Sequence, residues 1–173
     1  MKFKIVCILF FVAIINQAWA QLLSLSSLEY IADQDDWQVI NSYLLMKGWK
    51  YMNADSSKIV WAYNPSRDIS FSNDDLDQWK ANAWFSVYLN QFGVIVGCGY
   101  LLSGESGRDY YNNFFNSLKE KGFIKKIQYI KDGALFFVYE NDEYEITLVQ
   151  KLVNSSDYLS SPSQAFVIFI TKK

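Results

Sequence analysis

The chain has 173 residues, with 16 Lys and Arg against 18 Asp and Glu, no His, and an aromatic content of 18%. Without His there is no imidazole metal ligand, no Ser-His-Asp or Cys-His apparatus and no histidine switch near neutral pH. The slightly acidic balance offers no clustered Lys and Arg to neutralise phosphates, so no nucleic-acid partner is expected.

Lys2 and Lys4 open the chain, an apolar run extends from Ile5 to Ile15, and Ala18-Trp19-Ala20 follows. This is the pattern of a cleavable secretory signal peptide over residues 1–20, and cleavage after Ala20 predicts a secreted or periplasmic protein. The apolar run is about eleven residues, roughly half of what a helix needs to span a bilayer. No second long apolar stretch follows, so no transmembrane segment is expected in the mature chain. Cys7 leaves with the leader; Cys98 remains alone, and no internal disulfide can form. Residues 21–173, with 14 basic and 18 acidic side chains, are read as one domain with its own core.

Ser26-x-x-Glu29 has the spacing of a capping box and predicts a short first helix. Asp33-x-x-Asp36 announces a second, with Trp37, Ile40 and Leu44 on one face and Lys47-Gly48-Trp49 at its end. At a constant offset of 74, Tyr111, Phe114, Leu118 and Lys121-Gly122-Phe123 repeat that pattern after Ser106-Gly107-Arg108-Asp109. Glycine suits the left-handed residue that ends a helix, and the lysine before it suits the negative end of the helix dipole.

Strand-like sequence follows each of these helices: 50–53, 58–63, 83–89 and 94–102, then 124–130, 134–139, 143–152 and 165–170. Lys131-Asp132-Gly133 and Glu140-Asn141-Asp142-Glu143 carry turn chemistry. Glu143, Glu145 and Thr147 alternate with Tyr144, Ile146 and Leu148, giving one wet and one buried face. The chain is therefore read as an α+β domain of two tandem helix-plus-antiparallel-strand repeats, about 33–103 and 107–173. Each is of α-β-β-β or α-β-β-β-β type, with the helices packed on one face of a sheet.

The longest irregular stretch, Asn64 to Lys80, has no counterpart in the second unit. It sets Phe71, Leu76 and Trp79 among Asp74, Asp75 and Asp77, a composition suited to contact with a protein. Phe71, Asp74, Asp75, Asp77 and Trp79 are the candidate binding residues, against the reading of an insertion packed on its own domain. Asn73-x-Asp75-x-Asp77 has the opening spacing of a calcium loop, but Gln78 stands where Gly is needed and Trp84 where Glu is needed. No metal and no cofactor are expected.

Trp49, Trp61, Trp79, Trp84 and Tyr88 form a second candidate, an aromatic surface for protein or sugar, unless they pack under the helices. Glu140, Asp142, Glu143 and Glu145 are the only cluster that could serve a carboxylate-dependent hydrolase, and they fall at a hairpin where solvation is the ordinary outcome. Gly104-Glu-Ser106-Gly107 reads as a helix-initiating turn, Gly97 and Gly99 as a bulge or close backbone approach, and Cys98 as a small buried hydrophobe.

The doubled Leu-x-x-Lys-Gly-aromatic element, at Leu44 to Trp49 and Leu118 to Phe123, resembles small uncharacterised secreted proteins of Bacteroidota. That resemblance implies export and carries no activity with it. The two-unit layout is similar in outline to β-lactamase-inhibitor-like proteins, from which this chain departs in having no disulfide. Together these readings predict an exported, non-enzymatic binding or inhibitor-like module whose partner is a protein or a cell-envelope component. The alternatives are a small-ligand or carbohydrate binder with an aromatic face, and a carboxylate-dependent hydrolase.

Overall fold

Residues 23–67, 79–153 and 163–173 are described by the computed structural model. The expected signal peptide lies outside them. Helix α1 spans Leu25–Ala32 and α2 Trp37–Met46; strands β1 (Trp49–Ala54), β2 (Lys58–Tyr63), β3 (Ser66–Arg67), β4 (Trp79–Lys80), β5 (Ala83–Leu89) and β6 (Ile95–Ser103) follow. Helix α3 covers Gly104–Glu120 and leads into β7 (Ile124–Lys131), β8 (Ala134–Glu140), β9 (Tyr144–Val153) and β10 (Ser163–Lys172). Among the described residues no helix is long and apolar enough to cross a membrane.

The helix starts follow their caps. Ser24, not Ser26, caps α1: its Oγ accepts from the Ser27 backbone N–H at 3.2 Å. Leu23 before that cap and Leu28 one turn into the helix are both fully buried, the apolar staple that fixes how the chain enters. Asp36 caps α2, accepting from Gln38 N–H at 2.8 Å. Helix α3 begins at Gly104, the first residue of the turn read from its sequence. A Cβ at Gly107 would lie 3.3 Å from Leu102 Cβ and 3.4 Å from Phe166 Cδ2, so the missing side chain lets the helix settle on the sheet. Both α2 and α3 end on a left-handed glycine, Gly48 at φ +82° and Gly122 at φ +75°.

Eight strands form one antiparallel sheet in the order β1-β2-β5-β6-β10-β9-β8-β7. Each half is a four-stranded meander, and the halves meet through their last strands, β6 and β10, with Ile168 opposite Tyr100. The first hairpin of each half carries a register shift, at Met52 and at Lys126. Strands β3 and β4 make a separate two-stranded ribbon that pairs Ser66 with Lys80 and Arg67 with Trp79.

Alternation along the strands separates the two faces of the sheet. One face contributes Trp61, Phe85, Tyr100, Ile168 and Leu148, paired in register from β2 across to β9. These residues join Leu28 and Ile31 of α1, Ile40 and Leu44 of α2, and Phe114 and Leu118 of α3 in a single apolar cluster. Each fully buried Leu, Ile or Phe contributes about 1.5–3 kcal/mol. The strand members of that cluster all lie on this one face. Trp37, expected on the buried stripe of α2, is 39% exposed, whereas Tyr111 at the matching place in α3 is buried.

The Tyr111 ring packs at a tilt against Phe166 with centroids 4.8 Å apart, and its hydroxyl finds no hydrogen-bond partner among the described residues. An unmet buried hydroxyl carries a desolvation cost that Phe does not. Tyr111→Phe is therefore expected to stabilise the fold by about 1 kcal/mol in urea denaturation; a loss of stability would show that the hydroxyl is satisfied.

Asp33, the C-terminal cap of α1, ties that helix to the sheet. It accepts from Tyr144 OH at 2.8 Å and pairs with Lys172 Nζ at 2.9 Å. The Lys172 ammonium first, then the Tyr144 hydroxyl, hold its carboxyl below the usual carboxylate range.

Candidate binding surface

The residues that the sequence points to in the long connection fare unequally. Phe71, Asp74, Asp75 and Asp77 lie outside the described residues, as does the calcium-like spacing from Asn73. The backbone of Trp79 pairs with Arg67 in the small ribbon. The aromatic set divides in two. Trp49 and Trp61 are buried in the central apolar cluster, which removes them from any surface. Trp61 Nε1 donates to Asn41 Oδ1 of α2 at 2.9 Å, a bond that a surface role would not need. The strand residues that bury these two rings alternate with Trp84 and Tyr88, which are half-buried on the opposite face.

That opposite face is the surface on which a site can be built. Register places Trp84 beside Leu101, Leu101 beside Val167, and Val167 beside Val149. Phe136 then lies beside Val149, and Tyr129 beside Phe136. A parallel row runs from Tyr88 across Gly97 and from Ser86 across Gly99 to Phe169. The glycines fit their places closely. A Cβ at Gly99 would meet Phe169 Cε1 and Tyr88 Cε2 at 3.1 Å, and one at Gly97 would meet Thr171 Cγ2 at 2.7 Å. The two rings lie over bare backbone with their centroids 6.2 Å apart. This is the close approach that the glycine pair suggested. At the far end of the face, Tyr129 and Phe136 stack at 4.8 Å with planes 4° apart.

Phe169, Phe136 and Tyr129 were not singled out from sequence. Their strands carry apolar residues on both faces, and such a run reads as core throughout. The signal was there in alternation alone: Phe166, Ile168 and Ile170 are buried, while Val167 and Phe169 between them are half-buried.

Beside this face, the β5–β6 hairpin presents Phe92 at 79% exposure. Asn90 Oδ1 accepts from Phe92 N–H at 2.9 Å and Val94 N–H at 3.0 Å, which fixes the turn that holds the ring out.

Glu140 and Glu145 are cross-strand neighbours, yet Glu140 pairs with both Lys126 and Lys173. Those ammonium groups hold the Glu140 carboxyl below its ordinary range, so it keeps no proton to donate at neutral pH. A cleft of about 240 Å³ opens between the end of α1 and the strand ends, lined by Ile31, Gln34, Asp35, Ile95, Cys98 and Lys172. At its floor the Cys98 thiol is pushed up to about 12 by burial and stays protonated, as suits a small hydrophobe. Among the described residues no group of three or more His, Cys, Asp or Glu is placed to hold a metal ion.

Compared with known proteins, the chain matches no family model, no curated protein and no solved structure.

Proposed function

We propose that this protein is an exported, non-enzymatic binding module of the inhibitor-like kind. It holds a protein or cell-envelope partner against the side of the sheet opposite its helices. The observation that carries the reading is the band of rings on that side, which persists although Val60, Ala62, Ala134 and Val149 of the same side are buried. All the strand residues of the central cluster come from one face, and the other retains a band of half-buried rings, Trp84, Tyr88, Phe169 and Phe136, around two glycines. A rigid, β-paired aromatic surface loses little conformational entropy on association, and aromatic anchors dominate interface energetics.

The architecture behind this reading is a tandem repeat with its helices on one side of the sheet. It is supported by left-handed glycines at the ends of α2 and α3, by buried Ile40, Leu44 and Trp49 against Phe114, Leu118 and Phe123, and by bulges at Met52 and Lys126. The helix ends and the bulges share the offset of 74. Export rests on the leader over residues 1–20, with residues 21–173 as the mature domain.

The test is a Tyr88→Ala, Phe169→Ala double variant, used with the unaltered protein to capture partners from the envelope fraction and to measure their affinity. Both rings are half-buried, so the variant should remain folded. Loss of two central aromatic anchors is expected to weaken binding by about 30-fold or more. A variant that retains the same partner at unchanged affinity would overturn the assignment of the face. A glycan titration that quenches Trp84 fluorescence, with no protein captured, would replace it with the carbohydrate-binding reading.

A further inference from the structure

The sheet ends on one side in β7, and that edge is unlike the other. Every residue from Ile124 to Lys131 is exposed. Ile124 stands at 68%, Ile127 at 53% and Ile130 at 77%, with Tyr129 beside them. Register puts Ile127 and Tyr129 on the face of Val138 and Phe136, and Ile130 on the face of Leu135, so apolar side chains project from both sides of the strand. At the opposite edge, Trp49 of β1 is buried beneath α2 and begins a shorter strand. No described strand pairs with the outer side of β7, whose backbone N–H and C=O groups are therefore offered to another chain.

Edge strands are ordinarily blunted by lysine and by bulges, and β7 has both, with Lys125, Lys126 and Lys131 and a register shift at Lys126. Blunting alone does not account for three exposed isoleucines. The charges also select the occupant. Between 124 and 131 there are three lysines and no acid. Lys126 is engaged by Glu140, whereas Lys125 bonds only to Gln128 Oε1 at 2.5 Å and lies over the Phe137 ring. Two copies pairing antiparallel about Gln128 would set Lys125 against Lys131 and gather both sets of lysines in one seam. Like charges directly opposite across strands are destabilising. An incoming strand that alternates acid with apolar residues meets both the lysines and the isoleucines.

We propose that the outer edge of β7 takes an extended, acidic and apolar segment of a partner protein as an added strand of the sheet. Main-chain hydrogen bonds would supply affinity and the Lys–acid and Ile–apolar pairs selectivity, as in strand addition generally. This edge meets the aromatic face only at Tyr129, three strands away from Phe169, so either assignment can fail without the other.

The test uses the whole protein and an acetylated octapeptide of alternating glutamate and valine, followed by backbone amide chemical shifts. Two further peptides serve as comparisons, one with lysine replacing glutamate and one with alternate backbone nitrogens methylated. Saturable shifts confined to β7 and its partner β8 are expected with the acidic peptide, and none with the methylated one. A Lys125→Glu, Lys131→Glu variant, altered only at exposed positions, should lose about tenfold in affinity for the acidic peptide and gain for the lysine peptide. The proposal is overturned by no binding at millimolar acidic peptide, by equal binding of both charge types, or by shifts elsewhere in the sheet. It is equally overturned if β7 responds only to protein concentration, the mark of a second copy, or only to phosphatidylserine vesicles.

Discussion

Trp61→Ala is expected to cost about 3–5 kcal/mol of folding free energy, the range for removing a large buried aromatic. Trp61 is fully buried at the centre of the β2 stretch of the core, with ring centroids 6.0 Å from Phe85 and 6.3 Å from Tyr51. Its truncation removes that packing and also strips Asn41 of the indole donor that joins α2 to the sheet. Against a total of roughly 5–15 kcal/mol for a domain, this is about a fifth of the whole or more. Trp61→Phe keeps most of the apolar volume and loses the hydrogen bond, so about 1–2 kcal/mol is expected for it. Trp84→Ala, on the other face and half-buried, should fall near 1 kcal/mol. Urea denaturation of the three variants under one set of conditions checks the ordering. If Trp61→Ala costs no more than Trp84→Ala, the faces of the sheet have been assigned the wrong way round.

That contrast marks where sequence stopped being informative. Period-two alternation along 143–148 separates Tyr144, Ile146 and Leu148 from Glu143 and Glu145, and those burials are read directly from residue type. The left-handed glycines after α2 and α3, and the turns at Asp132-Gly133 and Asn141, follow from local stereochemistry and were equally legible. Trp61 and Trp84 were not separable in this way. Both lie in strands where most positions are apolar, and face is decided by pairing with β5 and β6, which no single strand encodes. The same limit applies to the sheet's continuity, since the β6–β10 seam joins residues about 70 apart in the chain. The cap of α1 was misplaced by two residues because Ser24 and Ser26 both satisfy the composition rule. The burial of Leu23 and Leu28 on either side of Ser24, set by the rest of the core, decides between them. The candidate loop, whose acids and aromatics gave the strongest compositional signal, lies largely outside the described residues, and the aromatic face had to be found from register.

Alkaline pH is expected to unfold this protein well before acid weakens it comparably, because the buried ionisable groups among the described residues are phenols and a thiol. Tyr100, Tyr110, Tyr111 and Cys98 are all buried, and burial raises every one of them, Tyr111 and Cys98 to about 12. The Tyr110 hydroxyl also donates to the Leu23 carbonyl, a bond that only its neutral form can make. In the unfolded chain a phenol ionises near 10 and a thiol near 8.5. Above those values the unfolded state binds fewer protons than the folded one, so stability falls as pH rises. The stabilisation is whole below the unfolded values and is lost on the way up through the folded ones. Each group within that window removes up to about 1.4 kcal/mol per pH unit, and the phenols act together, so stability falls steeply above about pH 10. Cys98 begins its contribution more than a unit earlier. Toward neutrality there is no histidine to titrate, and stability from about pH 5 to 8 should be nearly level. Asp33 behaves oppositely. Its carboxyl is lowered, so its contribution is present above the ordinary carboxylate range and is lost only as pH falls below about 4. Urea midpoints at pH 7, 9, 10 and 11, with tyrosinate absorbance followed in parallel, read the effect directly. The absorbance should rise with unfolding rather than ahead of it, and Tyr111→Phe should move the alkaline limb to higher pH. A midpoint unchanged from pH 7 to 11 would mean that these phenols meet water in the native state, and the single core shared by three helices and one sheet face would have to be redrawn.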